Sequence, residues 1–201
     1  ACFLASVLIN ILVELLSRRS LIGLLVYIGT RPHMFLFNTC IVFWSFSLIL
    51  LVRRRLFLGA CISVVWLVLG IVNCVLLSFR VTPFNGSDLR LTKDAMVIAG
   101  KYLTWWSVVL LIIGTLGLAA GLIFLFRRLP KAEKKPVRLR GLAFAGFSLL
   151  ALLGLSSLGM KMGALASQFG NLAEAYEDYG FFYCFCNSII NTGISKPEDY
   201  N

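Results

Sequence analysis

The sequence predicts an all-α membrane protein with about five transmembrane helices, an interfacial amphipathic helix and a short helical tail. Of the 201 residues, 59% are hydrophobic, whereas soluble domains are typically about 45–50% apolar. The apolar residues are grouped in runs of about twenty, the length that crosses a bilayer as a helix. Basic residues are concentrated in two short segments between the runs, as expected of cytoplasmic loops.

The first three apolar runs predict membrane spans at about 1–16, 34–52 and 56–79. The second run follows Pro32, a residue favoured in the first turn of a helix. Only three arginines separate the second run from the third, which predicts a tight antiparallel hairpin. Ala1 stands inside the first run with no basic segment before it, unlike a signal peptide. We therefore expect the chain to be a piece of a longer protein.

Two polar residues inside these runs are candidates for intramembrane contacts. Glu14 precedes Arg18 by four residues, so an ion pair on one helix face is the simpler interpretation. The alternative is a buried functional carboxylate that faces the other helices. We expect Asn73 to hydrogen-bond a neighbouring helix.

The stretch 80–104 predicts a basic amphipathic helix at about 88–103, with Ser87 or Asp88 as its cap. Its apolar residues recur with a period of about 3.6 and its charged residues occupy the other half of the helix. Such a helix lies in the plane of the membrane interface. The candidates for contacts with lipid headgroups are the basic residues Arg80, Arg90, Lys93 and Lys101. The alternative is a solvated face whose charges are balanced by Asp88 and Asp94.

The last two apolar runs predict spans at about 105–126 and 141–160. Trp105 is suited to anchor the fourth span at the membrane interface. Gly117 and Gly121 form a GxxxG pair, which allows close packing of helices.

The distribution of positive charge predicts which side of the membrane each loop faces. The segments 53–55 and 127–141 hold ten Lys and Arg in 18 residues, whereas the loops on the other side hold nine in 83. Dense basic charge in short loops is retained in the cytoplasm. We therefore expect a multi-pass protein of the cell membrane, with its N-terminus in the cytoplasm and its C-terminus outside the cell.

The segment 161–201 differs from the spans and predicts an extracellular helical linker. Residues 171–179 are typical of a short acidic helix, Gly180 is expected to end it, and 181–191 are typical of an apolar turn or helix. Cys184 and Cys186 are two residues apart, a spacing that disfavours a mutual disulfide. The other four cysteines lie in apolar runs, where cysteine behaves as a small hydrophobic residue.

Several classes of function are disfavoured. The sequence has no nucleotide-binding P-loop, zinc-protease or serine-hydrolase motif, and it has a single histidine. We therefore expect no catalytic residue, metal site or cofactor within these 201 residues. The net charge of +10 is explained by the two basic loops, so nucleic acid is not an expected partner.

Two stretches resemble the lipoteichoic acid synthase family of Gram-positive bacteria. The first is IVNCVLLSFRVTPFNGSDLRLTKDAMVIAGKYL, residues 71–103. The second is NLAEAYEDYGFFYCFCNSIINTGISKPEDYN, residues 171–201, which resembles the segment that joins the membrane part of the family to its extracellular enzyme domain. Members of this family have five spans and an extracellular C-terminus.

The resemblance implies that an extracellular alkaline-phosphatase or sulfatase-like domain follows the tail. In the family this domain uses a threonine nucleophile and a divalent metal, manganese or magnesium, to transfer glycerol phosphate from phosphatidylglycerol to a growing polymer. It implies three partners for the present chain: the lipid bilayer, its own catalytic domain and phosphatidylglycerol. The alternatives are a non-enzymatic membrane protein, such as a small transporter or assembly factor, and the membrane domain of a phosphoethanolamine transferase.

Overall fold

A helical hairpin and two preceding helices form the first half of the chain. The computed structural model describes residues 2–90, 105–129, 138–166 and 168–190, which form helices joined by short links, with no strand among them. The elements of the first half are α1 (Cys2–Arg18), α2 (Leu21–Thr30), α3 (Pro32–Ser47), a 3₁₀ turn (Leu48–Leu51) and α4 (Arg55–Phe79). The all-helical prediction is thus confirmed for this part of the chain.

The second half contains two long helices and three short ones. They are α5 (Gly86–Arg90), α6 (Trp105–Arg128), α7 (Arg138–Lys161), α8 (Leu172–Tyr179) and α9 (Phe181–Ile190). Residues 91–104, which include most of the predicted interfacial helix, lie outside the described residues.

Three of the helices are long and apolar enough to cross a membrane, judged by length and composition among the described residues. They are Pro32–Leu51, Arg55–Phe79 and Leu139–Lys161, with mean hydropathies of 2.1, 2.6 and 1.9. Helix α1 has 17 residues, and α2 and α9 are shorter apolar helices. The count of five spans stays a prediction.

Helices α1, α3 and α4 form the centre of the molecule. Helix α1 runs antiparallel to α3, because the Phe3 ring lies 6.2 Å from that of Phe43 while Asn10 Nδ2 donates to Thr39 Oγ1 over 2.9 Å. Helix α4 is close to α1 at Gly70, where an added Cβ would lie 3.2 Å from Val13. A larger residue at position 70 would push these two helices apart.

Helices α6 and α7 are added to the outside of this centre. The indole nitrogen of Trp44 donates to the carbonyl of Ala145 over 3.2 Å and joins α7 to α3. Helix α6 contacts α4 through the rings of Phe126 and Phe57, 5.0 Å apart. A Cβ added at the GxxxG residues Gly117 and Gly121 would meet no described atom within 4 Å, so the helix contact expected there is not made within this structure.

The helix directions divide the molecule into two ends. The basic end contains the link between the 3₁₀ turn and α4, together with the end of α6 and the start of α7. There the Arg54 guanidinium lies 3.8 Å from the centre of the Phe126 ring. The tail end contains α2, α5, α8 and α9. The two segments richest in positive charge are 53–55 and 127–141. The first segment and both described ends of the second lie on the same side of the bundle.

Several boundaries differ from those expected from the sequence. The predicted loop 17–33 contains the helix α2, capped by Ser20, whose Oγ accepts the N–H of Gly23 over 3.2 Å. Helix α5 is capped by Asn85 and not by Ser87 or Asp88. The Asn85 Oδ1 atom accepts the N–H groups of both residues, over 2.9 Å and 3.2 Å. An Asn side chain that bonds the backbone two or three residues later favours this turn.

Candidate functional site

Three polar side chains from three helices meet at Gly180, the residue between α8 and α9. We call Glu14, Tyr27 and Asn38 the polar clamp; Glu14 and Asn38 are fully buried and Tyr27 is 2% exposed. Gly180 has φ of +83°, and an added Cβ would lie 2.4 Å from Asn38 Nδ2 and 2.6 Å from both Glu14 Oε1 and the Tyr27 hydroxyl. Only glycine fits this position, since both the conformation and the space exclude a side chain.

Glu14 holds the start of α9. Its Oε1 atom accepts the backbone N–H of Phe181 over 2.7 Å, and its Oε2 atom accepts from Nε of Arg18 over 3.2 Å. The first N–H groups of a helix have no partner within that helix, and the helix N-terminus attracts negative charge. Glu14 therefore acts as an N-terminal cap supplied by a distant helix.

Asn38 joins the two sides of the break at Gly180. Its Nδ2 group donates to the Tyr27 hydroxyl over 2.9 Å and to the carbonyl of Tyr179 over 2.7 Å. Its Oδ1 atom accepts the N–H of Tyr183 over 2.8 Å. Because the bonds to Tyr27 and Tyr183 are buried, losing either would leave a polar group without water to replace its partner.

A second polar contact holds the segment between α4 and α5. The Oδ1 atom of Asn73 accepts the N–H of Phe84 over 2.8 Å, and the hydroxyl of Tyr176 donates to the carbonyl of Phe84 over 2.7 Å. The Nδ2 group of Asn73 donates to Ser17 Oγ on α1 over 3.0 Å. The backbone of Phe84 is thus held by the bundle through its N–H and by the tail through its carbonyl.

Helix α9 also packs by apolar burial. Phe181, Phe182 and Cys184 have no exposed surface, and the Phe182 ring lies 4.8 Å from the ring of Trp66 on α4. Burial raises the pKa of the Cys184 thiol above its ordinary value and that of Cys186 to about 11. Both residues are free thiols, and their raised pKa values keep them protonated and unreactive at neutral pH.

A cleft of about 960 Å³ opens at the tail end beside the clamp. Its walls come from the end of α1, α2, the end of α4, the segment after α4, and α8. We call it the arginine cleft, because four guanidinium groups line it against two carboxylates: Arg18, Arg19, Arg31 and Arg80, with Glu177 and Asp178.

Three of the four arginines have partners. Arg18 lies 3.9 Å from the centre of the Tyr27 ring and donates to the carbonyl of Glu177 over 2.7 Å, besides its pairing with Glu14. Arg31 pairs with Asp178 over 2.9 Å, with both side chains half exposed.

Arg80 forms an ion pair with Asp88 and donates from Nε to the carbonyl of Thr82 over 2.9 Å. Arg19 differs from the other arginines of the cleft, because it is exposed and its side chain makes no hydrogen bond or ion pair within the described part of the chain, although its backbone N–H donates to the carbonyl of Leu15 over 2.8 Å. Arg19 also has φ of +52°, the one non-glycine residue with positive φ among those described.

No family model, curated protein or solved structure matches the chain.

The structure describes the side chains of three of the six residues that the sequence singled out. Glu14 has both features that were weighed as alternatives, because it pairs with Arg18 and is also fully buried. Asn73 reaches α1 and the Phe84 peptide, and Arg80 lines the cleft while its guanidinium is occupied by Asp88. Arg90 ends α5, but its side chain, like Lys93 and Lys101, lies outside the described residues.

Sequence reasoning missed Tyr27 and Asn38. A signal for Asn38 was present, since it is an amide inside an apolar run and such residues usually face other helices. Nothing in the pattern showed that it would bond the tail, 141 positions away. Among the described residues no three His, Cys, Asp or Glu side chains come together as metal ligands. The divalent metal that the resemblance implies would belong to the catalytic domain and not to this chain.

Proposed function

We propose that this chain is the membrane anchor of a lipoteichoic acid synthase-like phosphoglycerol transferase of the sulfatase family. In this proposal it is a cell-membrane protein with five spans, and it holds an extracellular, metal-dependent catalytic domain at the membrane. The proposal rests first on the resemblance of residues 71–103 and 171–201. The described parts of these stretches touch each other, through Phe84 and Tyr176 and through the Gly86 N–H and Ser188 Oγ, 2.8 Å apart.

The observation that supports an anchoring role most strongly is the polar clamp. It holds Gly180 and Phe181 against three helices, so the start of α9 has a fixed position on the bundle. A domain tethered at a fixed point close to the bilayer meets membrane-bound substrate at a high effective concentration. A free linker would let that domain sample a much larger volume.

The proposed orientation follows from charge. The basic end would face the cytoplasm, because dense Lys and Arg in short loops resist transfer across the bilayer. The tail end would then face outward, with α2 and α5 near the outer leaflet. The proposed partners are the lipid bilayer, the catalytic domain of the same protein and phosphatidylglycerol.

Reporter fusions test this orientation. Alkaline phosphatase joined after Tyr200 should be active, because that enzyme folds only outside the cytoplasm, and green fluorescent protein at the same point should be dark. The same reporters joined after Leu129, at the basic end, should give the opposite pattern. Fluorescence after Tyr200 would refute an exported catalytic domain. A coding sequence that stops at Asn201 would instead favour a non-enzymatic membrane protein.

A further inference from the structure

Arg19 lies between two cavities of opposite character. On one side is the arginine cleft. On the other is a groove of about 650 Å³ whose lining, apart from Arg19 and Ser20, is made of apolar residues and a cysteine. The apolar side chains are Leu15, Leu16, Leu21 and Ile22. Arg19 thus belongs to the lining of both the polar cavity and the apolar groove, and no described side chain pairs with its charge.

The cleft lining has groups suited to both parts of a phospholipid headgroup. Arg19 and Arg31 offer N–H donors of the kind that bind phosphate oxygens. The competing ion pair of Arg31 with Asp178 is weak, because the two side chains are 41% and 50% exposed. Glu177 and Asp178 would repel a multiply charged anion but can accept hydrogen bonds from hydroxyl groups. A bare phosphate therefore matches this lining poorly.

The apolar groove matches the rest of such a molecule. Leu21 and Ile22 are 66% and 75% exposed, so they offer a surface along which an acyl chain can lie. On the cleft side, Phe79 and Val81 are 85% and 80% exposed. A ligand that covers these side chains removes apolar surface from water if they lie outside the bilayer.

We propose that Arg19 binds a glycerophospholipid with a hydroxyl-bearing headgroup, with the phosphodiester and headgroup in the arginine cleft and an acyl chain in the apolar groove. The phosphate contacts Arg19 and Arg31, and the headgroup hydroxyls donate to Glu177 and Asp178. This proposal rests on the proposed function only for the location of the lipid, which would be at the outer surface of the membrane. The binding itself does not depend on the orientation of the chain.

The positive φ of Arg19 allows a substitution that separates binding from folding. Arg19→Gly removes the guanidinium and places at +52° the residue that adopts this conformation most readily. The variant should therefore unfold at the same temperature as the parent chain or at a higher one. Arg53→Gly is the matched control, because it removes an exposed arginine from a link at the basic end.

The test is native mass spectrometry of the purified full chain in detergent, titrated with phosphatidylglycerol, phosphatidylcholine of the same acyl chains, or glycerol 3-phosphate. The parent and Arg53→Gly chains should retain phosphatidylglycerol, and Arg19→Gly should bind it at least about tenfold more weakly. Equal binding by Arg19→Gly would overturn the proposal.

The other two ligands test the two parts of the site. Phosphatidylcholine has the same chains and phosphodiester but no headgroup donor, so it should bind at least about tenfold more weakly than phosphatidylglycerol. Equal affinity would overturn the role given to Glu177 and Asp178. Glycerol 3-phosphate has the polar groups without the chains, and binding as tight as that of the lipid would overturn the role of the groove. Each result stands whether or not the reporter fusions support an exported domain.

Discussion

The Oε1 atom of Glu14 lies 2.7 Å from the backbone nitrogen of Phe181, a residue 167 positions later in the chain. This bond joins the first helix, α1, to the last described one, α9. Together with the bonds of Asn38, it fixes the point at which the tail docks. The docking of the tail therefore depends on a few buried polar contacts as well as on apolar packing.

Replacing Gly180 with alanine should release the tail. The added Cβ would lie 2.4 Å from Asn38 Nδ2 at a φ of +83°, and a left-handed conformation and an overpacked site together cost about 2–5 kcal/mol. Thermal unfolding in detergent should show a lower midpoint. The control is Gly170→Ala in the same tail, where no described atom lies within 4 Å of an added Cβ and φ is not positive. Equal midpoints for the two variants would show that the clamp is not tight at Gly180.

Changes at Glu14 should separate its two roles. Glu14→Gln can still accept the N–H of Phe181, whereas Glu14→Ala loses that bond and also leaves Arg18 without its carboxylate partner. Breaking a buried ion pair from one side costs about 3–5 kcal/mol, so Glu14→Ala should be the less stable variant in denaturant titrations.

The double substitution Glu14→Ala with Arg18→Ala tests the same pair. It should recover part of the stability lost in Glu14→Ala, because no unpaired guanidinium remains. If the losses of unfolding free energy in the single variants Glu14→Ala and Arg18→Ala simply add in the double variant, the ion pair contributes nothing to folding.

The thiol of Cys184 should report whether the tail is docked. It is fully buried, and burial raises its pKa, so at pH 8 it should react with maleimide far more slowly than an exposed cysteine. The measurement uses a chain whose other five cysteines are replaced by alanine. Adding Gly180→Ala to this chain should speed the reaction.

The reference for this rate is a chain without the six native cysteines that carries Gly170→Cys, an exposed position in the same tail. That residue should react rapidly with or without Gly180→Ala. If Cys184 reacted as fast as the residue introduced at position 170, the tail would not be packed as described.

The Phe84 peptide should couple α4 to the tail. Tyr176→Phe removes one hydrogen bond from its carbonyl and should cost about 1–3 kcal/mol, since that carbonyl is left buried without a partner. Asn73→Leu should cost a similar amount through the N–H of the same residue. A double-mutant cycle on unfolding free energies should show a coupling above about 0.5 kcal/mol, because both bonds hold the backbone of the same residue, Phe84. Strict additivity would mean that the tail and α4 hold Phe84 independently.

The helices were largely predictable, and their contacts were not. Runs of apolar residues predicted the long helices to within a few residues, because helix length and hydropathy are local properties. Helix α2 was missed because its ten residues are too few for a span. The predicted break at Gly180 is present, since glycine ends helices locally.

The polar clamp shows why the contacts between the helices could not be predicted from the sequence. Its three members come from α1, α2 and α3, and each bonds a backbone or side-chain atom far away in sequence. Glu14 and Asn38 could each be recognised as a polar residue in an apolar run, but the local sequence does not indicate which residue either one contacts. The requirement for glycine at position 180 arises from contacts that form only when the tail packs against these helices.

The most direct test of the proposed orientation in the membrane is labelling of intact cells with a membrane-impermeant maleimide. In chains that lack the native cysteines, Glu177→Cys reports the tail end and Arg53→Cys reports the basic end, and both positions are exposed. If the tail end lies outside the cell, Glu177→Cys is labelled in intact cells and Arg53→Cys is labelled only after the membrane is permeabilised. Labelling of Arg53→Cys in intact cells, with Glu177→Cys protected, would contradict this orientation.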